Sequence, residues 1–195
     1  RPVQFLAQER TVIDEAYSGD IIGIWDPGVL RIGDTLCEGE PLEFEGIPRF
    51  SPEHFVRVRL EDPLKRKQLK KGLDQLSEEG AVQLFFDRKR LEREPILGAV
   101  GVLQFEVIQA RLKSEYRVSV GFDRLPFRQA RWIEGDELNL DKFELSGRTT
   151  CVLDVEDRPL VLFDSEWLLQ MAEKDNPKVR FVAAVQPGRS ARAGS

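Results

Sequence analysis

The strongest constraint on the fold is the order of strand-like and helix-like segments between residues 55 and 122. The strand-like segments are short apolar runs, and one of them, FVRVRL, alternates apolar and basic residues. Two longer segments repeat apolar residues every three or four positions, as amphipathic helices do. The order along the chain is strand, helix, strand, strand, helix, strand, at residues 55–60, 63–79, 81–87, 95–101, 102–116 and 118–122.

This order predicts an α+β fold of the ferredoxin-like, or split βαβ, type. In that fold two right-handed βαβ halves interleave, and both helices cover one face of a four-stranded antiparallel sheet. The first helix has clear ends, because Asp62 precedes it as a cap, Pro63 takes its first position and Gly80 follows its last turn. Its apolar stripe is predicted to contain Leu64, Leu69, Leu73 and Leu76.

Gly98 and Gly101 flank the junction between the third strand and the second helix, in the sequence GAVGVL. Phosphate-binding loops of the G-x-G-x-x-G or G-x-x-x-x-G-K-[ST] type do not match this sequence. A G-x-x-G clamp of the KH type is closer in spacing, but that loop joins two helices and is usually basic. We therefore assign both glycines to a sharp turn and to close packing of helix on sheet.

The residues before the split βαβ segment are predicted to form strands and then a linker. Residues 1–50 contain short apolar strands separated by turns, which is typical of part of a β-barrel. Residues 38–53 are rich in proline, glycine and acidic residues, as linkers often are.

Residues 126–187 are predicted to add a β-hairpin, a helix and a strand as a further subdomain. FRQARWI is a strand, CVLDVE and PLVLF form the hairpin around a turn at Asp157, and VRFVAAV is the closing strand. The helix between them contains Trp167. The predicted boundaries are thus 1–50, 51–125 and 126–187, with a disordered tail at residues 188–195.

Composition argues against metal chemistry and catalysis. Cys37, Cys151 and the single histidine, His54, are too few for a Cys/His zinc site. We expect His54 to be a solvated loop residue, and no nucleophile, base and orienting group converge. No run approaches 18 apolar residues and the N-terminus lacks an apolar secretion signal, so a cytoplasmic protein without a membrane partner is expected.

The net charge of −5 is unevenly distributed. Residues 1–50 hold 4 basic and 10 acidic side chains, residues 51–125 hold 15 and 12, and residues 126–195 hold 10 and 12. A positive centre in an acidic chain argues against wrapping nucleic acid over the whole surface, but it allows one face to meet a polyanion.

Two basic clusters are candidates for contact with the phosphate groups of a partner. The first is KRKQLKK at residues 65–71, which two arginines of the first strand would reinforce if that side of the sheet is open. The second is the hairpin loop after residue 87. A run such as KRKQLKK is most often a solvated helix face, and the loop can equally serve solubility. The candidate residues are Arg57, Arg59, Lys65, Lys67, Lys70, Lys71, Arg88, Lys89 and Arg90.

The tryptophans offer a third candidate surface. Trp132 and Trp167 lie at strand and helix positions, where a large aromatic side chain is usually a core or interface anchor. We favour that role over a platform for stacking bases.

Three long motifs resemble a known family. GDTLCEGEPLEFEGIPRFSPEHFVRVRLEDPLKRKQLKKGLDQLSEEGAVQLFF, GAVGVLQFEVIQARLKSEYRV and ARW are similar to bacterial peptide chain release factor three, a family of translational GTPases in the elongation factor G superfamily. The resemblance covers about residues 11–183 and is densest over 33–133. Elongation factor G itself is less similar, because it has a shorter glycine-methionine-glycine pattern where this chain has GAVGVLQF.

The resemblance implies a parent protein with a GTPase domain, a β-barrel second domain and an αβ third domain. This chain has neither G-x-x-x-x-G-K-[ST] nor N-K-x-D, so we expect a C-terminal fragment that is not itself an enzyme and binds no cofactor. GTP or GDP and Mg²⁺ would bind in the missing domain. Residues 1–50 would be the second half of the barrel, residues 51–125 the core of the third domain, and residues 126–187 its extension.

The implied role of the family is to bind the ribosome after peptide release and to dislodge the class I release factor through a GTP-linked rearrangement. The implied partners are therefore ribosomal RNA, ribosomal proteins and, indirectly, the class I release factor, and the chain is expected to be a monomer. A ligand-sensing ferredoxin-like module and the same region of another elongation factor G-like GTPase remain alternatives. A small acyl-phosphate hydrolase is disfavoured, because LEDPL at the first strand-helix junction is not a basic anion-binding loop.

Overall fold

The computed structural model describes residues 3–6, 9–27, 29–30, 34–40, 42, 44, 49–88, 94–135, 140 and 148–185. Its α-helices are α1 (Arg66–Glu78), which a 3-10 turn at Pro63–Lys65 precedes, α2 (Leu103–Tyr116) and α3 (Glu166–Asp175). Its strands are β1 (Val3–Leu6), β2 (Glu9–Val12), β3 (Ile22–Gly23), β4 (Arg49–Phe50), β5 (His54–Leu60), β6 (Gln83–Asp87), β7 (Ile96–Ala99), β8 (Val120–Arg124), β9 (Gln129–Glu134), β10 (Thr149–Asp154), β11 (Pro159–Phe163), β12 (Arg180–Val182) and β13 (Ala184–Val185). The predicted tail at 188–195 lies outside the described residues.

One large antiparallel sheet dominates the fold, with the strand order β12-β9-β11-β10-β6-β7-β5-β8. The four strands predicted between residues 55 and 122 lie side by side in it, and β6-β7-β5-β8 is the split βαβ order. The predicted extent of the sheet is wrong, because β10 pairs with β6 through Val152↔Asp87, Leu153↔Phe86 and Asp154↔Phe85. Strands β9 to β12 therefore continue the same sheet instead of standing apart from it.

Helices α1 and α2 pack on the same face of this sheet, as predicted. Leu69, Leu73 and Leu76 of α1 share one core with Phe105, Ile108 and Leu112 of α2, and with Val56 and Val58 of β5. Leu64 does not belong to this core, and its side chain is 89% exposed. That prediction failed because Leu64 lies in the 3-10 turn before α1, out of phase with the leucines of the α-helix.

Helix α3 packs beside them through Leu168 and Leu169, which contact Val161 and Phe163 of β11. Side chains of paired antiparallel residues point to the same face of a sheet, as do residues two apart on one strand. Leu153 lies opposite Phe86, which packs on the first core, and Cys151 lies opposite Val161, which packs on α3. The pairing register therefore places α3 on the same face as α1 and α2.

The other face of the sheet is covered by the sheet itself, which curls. Strand β8 is an edge strand and β9 lies six strand spacings away, about 29 Å across a flat sheet. Residues 125–128 connect the two strands, and five Cα steps span at most about 18 Å. Flat geometry is thus impossible, and Phe55 and Phe85 of one half share a second core with Trp132 and Leu160 of the other.

A buried carboxylate fixes the hairpin between β10 and β11. Asp154 is 3% exposed, and its Oδ2 accepts hydrogen bonds from Trp132 Nε1 (3.0 Å) and Arg158 Nε (2.8 Å). Its Oδ1 accepts from the backbone amides of Glu156 and Arg158. Asp157 takes a left-handed conformation at φ 59°, as the predicted turn requires. The prediction of Trp132 as a core residue is confirmed.

Short strands outside the large sheet complete the described fold. Strands β1 to β3 form a small sheet in the order β2-β1-β3 within residues 1–50, where strands are predicted, and the β-barrel assignment of this region stays a prediction. Strand β4 pairs with β13, so part of the predicted linker at residues 38–53 is a strand. The boundaries 1–50, 51–125 and 126–187 stay predictions of domain organisation.

The two glycines of GAVGVL have different roles. A Cβ on Gly98 would lie 2.5 Å from Pro52 Cγ and 2.7 Å from Phe85 Cε2, which confirms close packing. A Cβ on Gly101 would meet nothing within 4 Å, so the packing role predicted for Gly101 is wrong.

These contacts predict opposite effects for two alanine substitutions. Gly98→Ala should lower the free energy of unfolding by about 1–3 kcal/mol, because the added methyl group overpacks the site. Gly101→Ala should leave it unchanged or raise it by about 0.4–1 kcal/mol, because it only reduces the freedom of the unfolded chain. Urea denaturation of both variants measures the difference, and equal effects would contradict the assignment.

Candidate nucleic-acid interface

Helix α1 carries two parallel rows of basic side chains on its outer surface. Arg66 and Lys70 form one row and Lys67 and Lys71 the other, because residues four apart are neighbours on a helix. All four residues are exposed, since the opposite side of α1 packs on the sheet. We call these four residues the α1 basic surface.

Lys65 lies apart from this surface and has a structural contact. Its Nζ donates a hydrogen bond to the backbone carbonyl oxygen of Arg117 at 2.6 Å. Arg117 is the left-handed residue that follows α2, at φ 57°. The ammonium group therefore satisfies a carbonyl oxygen just after the C-terminus of α2, where positive charge is favourable. This contact ties the start of α1 to the end of α2.

The charges of α1 oppose the dipole of the helix. Its first turn contains Arg66 and Lys67 and no acidic residue, and Lys65 at the N-cap makes no side-chain capping bond. Its last turns contain Asp74 and Glu78. Cations near an N-terminus and anions near a C-terminus each cost about 0.3–1 kcal/mol when exposed. These charges do not favour the dipole of α1, although Asp62 caps the preceding 3-10 turn by accepting a hydrogen bond from the backbone amide of Leu64 at 3.0 Å.

Asp74 borders the α1 basic surface on its C-terminal side. Burial raises the pKa of its carboxyl group above the ordinary value, Lys70 counteracts that rise, and Glu78 adds to it. Because the pKa is raised, the folded state holds this charge less favourably than the unfolded state does.

The structure separates the two strand arginines from α1. Arg57 and Arg59 alternate along β5 with Val56 and Val58, so they point to the face opposite the helices. Arg57 is half-buried. Its Nη2 lies 4.0 Å from Asp87 Oδ2, and its Nε lies 3.8 Å from Glu94 Oε2. Arg59 is exposed and lies 3.8 Å from Asp123 Oδ1. The expected reinforcement of the α1 basic surface by these arginines is wrong.

The second predicted basic cluster is described only at its start. Arg88 is half-buried directly after β6. Lys89 and Arg90 lie outside the described residues, so their contact with a partner stays a prediction.

The backbone amides at the GAVGVL junction are occupied. Oε1 of Gln104 accepts hydrogen bonds from the amides of Val100 and Gly101, both at 3.0 Å. A phosphate cradle needs such amides to point at the ligand. The side chain of Gln104 takes that place, so these two amides are satisfied within the chain.

Two predictions about aromatic residues are corrected by the structure. His54 is not a loop residue, because it is the first residue of β5 and is half-buried. Trp167 is 59% exposed, so it is not a core anchor, and a role in an interface stays a prediction.

A search of the described ranges finds no group of three His, Cys, Asp or Glu side chains that could hold a metal ion. In the same ranges, no helix has both the length and the apolar character needed to cross a membrane.

Sequence reasoning missed one surface, on the outer side of α2. Leu103, Val107 and Ala110 recur at intervals of four and three residues, directly opposite the buried residues of this helix. The signal was present in the sequence, because a solvent-facing helix side normally carries polar residues.

Comparison with known families matches almost the whole chain. The model for "Class II release factor RF3, C-terminal domain" matches residues 44–173, and the model for "Elongation factor G domain 2" matches residues 1–39. The chain belongs to the class II release factor RF3 family. The RF3 match covers α1, α2 and most of α3, so the α1 basic surface lies within it.

Curated relatives in the RF3 family cover nearly the full chain. The peptide chain release factor 3 of Symbiobacterium thermophilum is 50% identical over 186 residues, which are 95% of this chain and 35% of that protein. That of Nostoc punctiforme is 48% identical over 96% of this chain and 34% of its own length. That of Synechococcus elongatus is 46% identical, with coverage of 97% and 34%. The chain thus spans about a third of these relatives.

The conflict between α1 charges and the helix dipole predicts a stability difference between two matched variants. Lys67→Gln removes a first-turn charge and its repulsion from Lys70 and Lys71, whereas Lys71→Gln removes the repulsion from Lys67 and an attraction to Asp74. Both differences favour Lys67→Gln, which should raise the free energy of unfolding by about 0.3–1 kcal/mol more than Lys71→Gln does. Thermal and urea unfolding at low salt measure this, and a larger gain from Lys71→Gln would contradict it.

Proposed function

We propose that this chain is the ribosome-binding portion of a peptide chain release factor 3. In the whole protein it would help to dissociate class I release factors from the ribosome after termination, in a step that depends on GTP. Membership of the RF3 family supports this proposal. GTP and Mg²⁺ would bind in the part of the relatives that this chain does not span, and the protein would act in the cytoplasm as a monomer.

The α1 basic surface is the observation that carries the ribosome contact. No described residue forms an ion pair with Arg66, Lys67 or Lys71, so these cations are available to a partner. Arg66 and Lys67 lie in the first turn of α1, where the helix dipole disfavours cations. Phosphate groups would reverse this cost, because an anion at these positions interacts favourably with both the cations and the dipole.

The composition of this surface favours ribosomal RNA over ribosomal protein. Three of its four cations are lysines. Lysine is depleted in protein–protein interfaces, whereas it is a common partner of phosphate groups. The aromatic side chains that would stack on bases are absent from the described surface of α1. Contact through phosphate groups alone would be independent of base sequence.

Salt dependence of ribosome binding tests this function. Up to four phosphate contacts should contribute roughly three units to the slope of log affinity against log salt, since each contact contributes about 0.7–0.9. Binding of the chain to purified bacterial ribosomes should therefore fall steeply between low and moderate salt. The double reversal Lys70→Glu/Lys71→Glu should weaken binding and flatten the slope in a sedimentation assay.

A matched control is the double reversal Lys174→Glu/Lys178→Glu, which changes the net charge equally at exposed positions outside α1. It should lower affinity far less than the α1 reversal. Equal losses for both double variants would assign binding to net charge and refute the α1 contact. Absence of any binding to ribosomes at low salt would refute the proposed function itself.

A further inference from the structure

The outer side of α2 is apolar where a solvent-facing helix surface is normally polar. Leu103 is 68% exposed and Val107 is 56% exposed. Both lie opposite the residues that α2 buries in the first core. Val100 and Val102, in the loop before α2, extend the same apolar surface.

A small cleft opens beside the start of α2. It has a volume of about 70 Å³ and is lined by His54, Phe55, Val56, Val102, Phe105, Arg124, Leu125 and Phe127. One water needs only about 10–15 Å³, so the cleft has room for more than a water molecule. Sites for cofactors and drug-sized ligands usually measure about 300–1,000 Å³. The cleft therefore suits one inserted side chain, and it is too small for a nucleotide.

Arg124 supplies a positive charge at this cleft. It is exposed at the end of β8, and within the described part of the chain no acidic side chain forms an ion pair with it. An apolar surface bordered by arginine, with no lysine among its members, has the composition of a protein–protein interface. The α1 basic surface, which is rich in lysine, has the opposite character.

The size of the surface indicates a short partner segment. The exposed side chains of Val100, Val102, Leu103 and Val107 form a patch of a few hundred Å², the range in which exposed apolar patches are often binding sites. A stable dimer commonly buries about 800 Å² on each partner. A second copy of the chain would need more apolar surface than this patch offers.

We propose that the outer side of α2 and the adjoining cleft form a docking site for a short segment of another protein. The segment inserts one apolar side chain between Val102 and Phe127, lays further apolar side chains along Leu103 and Val107, and places a carboxylate at Arg124. This site is separate from the α1 basic surface and binds a different class of partner.

Selection from a library of random dodecapeptides displayed on phage, with the 195-residue chain as the target, tests this proposal. Enriched peptides should combine apolar residues with an acidic residue. A synthetic copy of an enriched peptide should bind the wild-type chain at least tenfold more tightly than either Arg124→Glu or Val107→Asp. Both positions are exposed, and thermal melting confirms that each variant is folded.

Lys178→Glu is the matched control, because it makes the same charge reversal at an exposed position outside both proposed surfaces. It should leave peptide affinity within twofold of wild type. The proposal is overturned if no peptide is enriched over a parallel selection on Val107→Asp. It is also overturned if enriched peptides are basic, or if Arg124→Glu has no larger effect than Lys178→Glu. If the wild-type chain sediments as a dimer and Val107→Asp sediments as a monomer, the surface binds a second copy of the chain instead.

Discussion

The pairing of β10 with β6 is the contact on which the rest of this fold depends. It joins β5, β6, β7 and β8 to β9, β10, β11 and β12, so that neither group presents a free edge at that point. The join also brings Phe85 and Trp132 into one core, because the widened sheet curls. The short connection at residues 125–128 requires that curl.

Because the sheet covers its own second face, the three helices lie together on the first face. Their outer sides therefore carry the surfaces that are available to partners. Lys65 of the turn before α1 contacts Arg117 after α2, and Glu79 after α1 forms a 2.6 Å salt bridge with Arg111 of α2. The two helices consequently run in opposite directions.

This antiparallel packing separates the two proposed surfaces. The α1 basic surface lies beside the end of α2, and the apolar docking site lies beside the start of α2, next to the acidic half of α1. One helix pair can thus contact a polyanion at one end and a protein segment at the other. The two contacts differ in chemistry, because one depends on charge that salt screens and the other on apolar burial.

Sequence reasoning predicted the elements well where local patterns decide them. Strand β5 and helix α2 start and end within two residues of their predicted positions, because alternation and helical periodicity are local signals. The β10–β6 pairing joins residues about 65 positions apart, and no local pattern distinguishes an edge strand from a paired one.

The errors at individual residues have equally specific causes. Leu64 is apolar but out of phase with the other leucines, and Trp167 is large and apolar but lies on the outer side of α3. Arg57 and Arg59 belong to the right strand but point to the wrong face for α1. The α1 basic surface itself could be identified from sequence, because helical phase and the buried leucines place it in solvent.

Native-state hydrogen exchange in increasing denaturant tests the central claim, that β6 and β10 join the described strands from β5 to β12 into one cooperative sheet. The account predicts that the amides of Phe85, Val152 and Leu160 share one free energy of opening and one dependence on denaturant. The contrary result is that the amides of residues 149–163 exchange through an opening of lower free energy while residues 96–99 stay protected. That result would show two independent units and contradict the claim of one cooperative sheet.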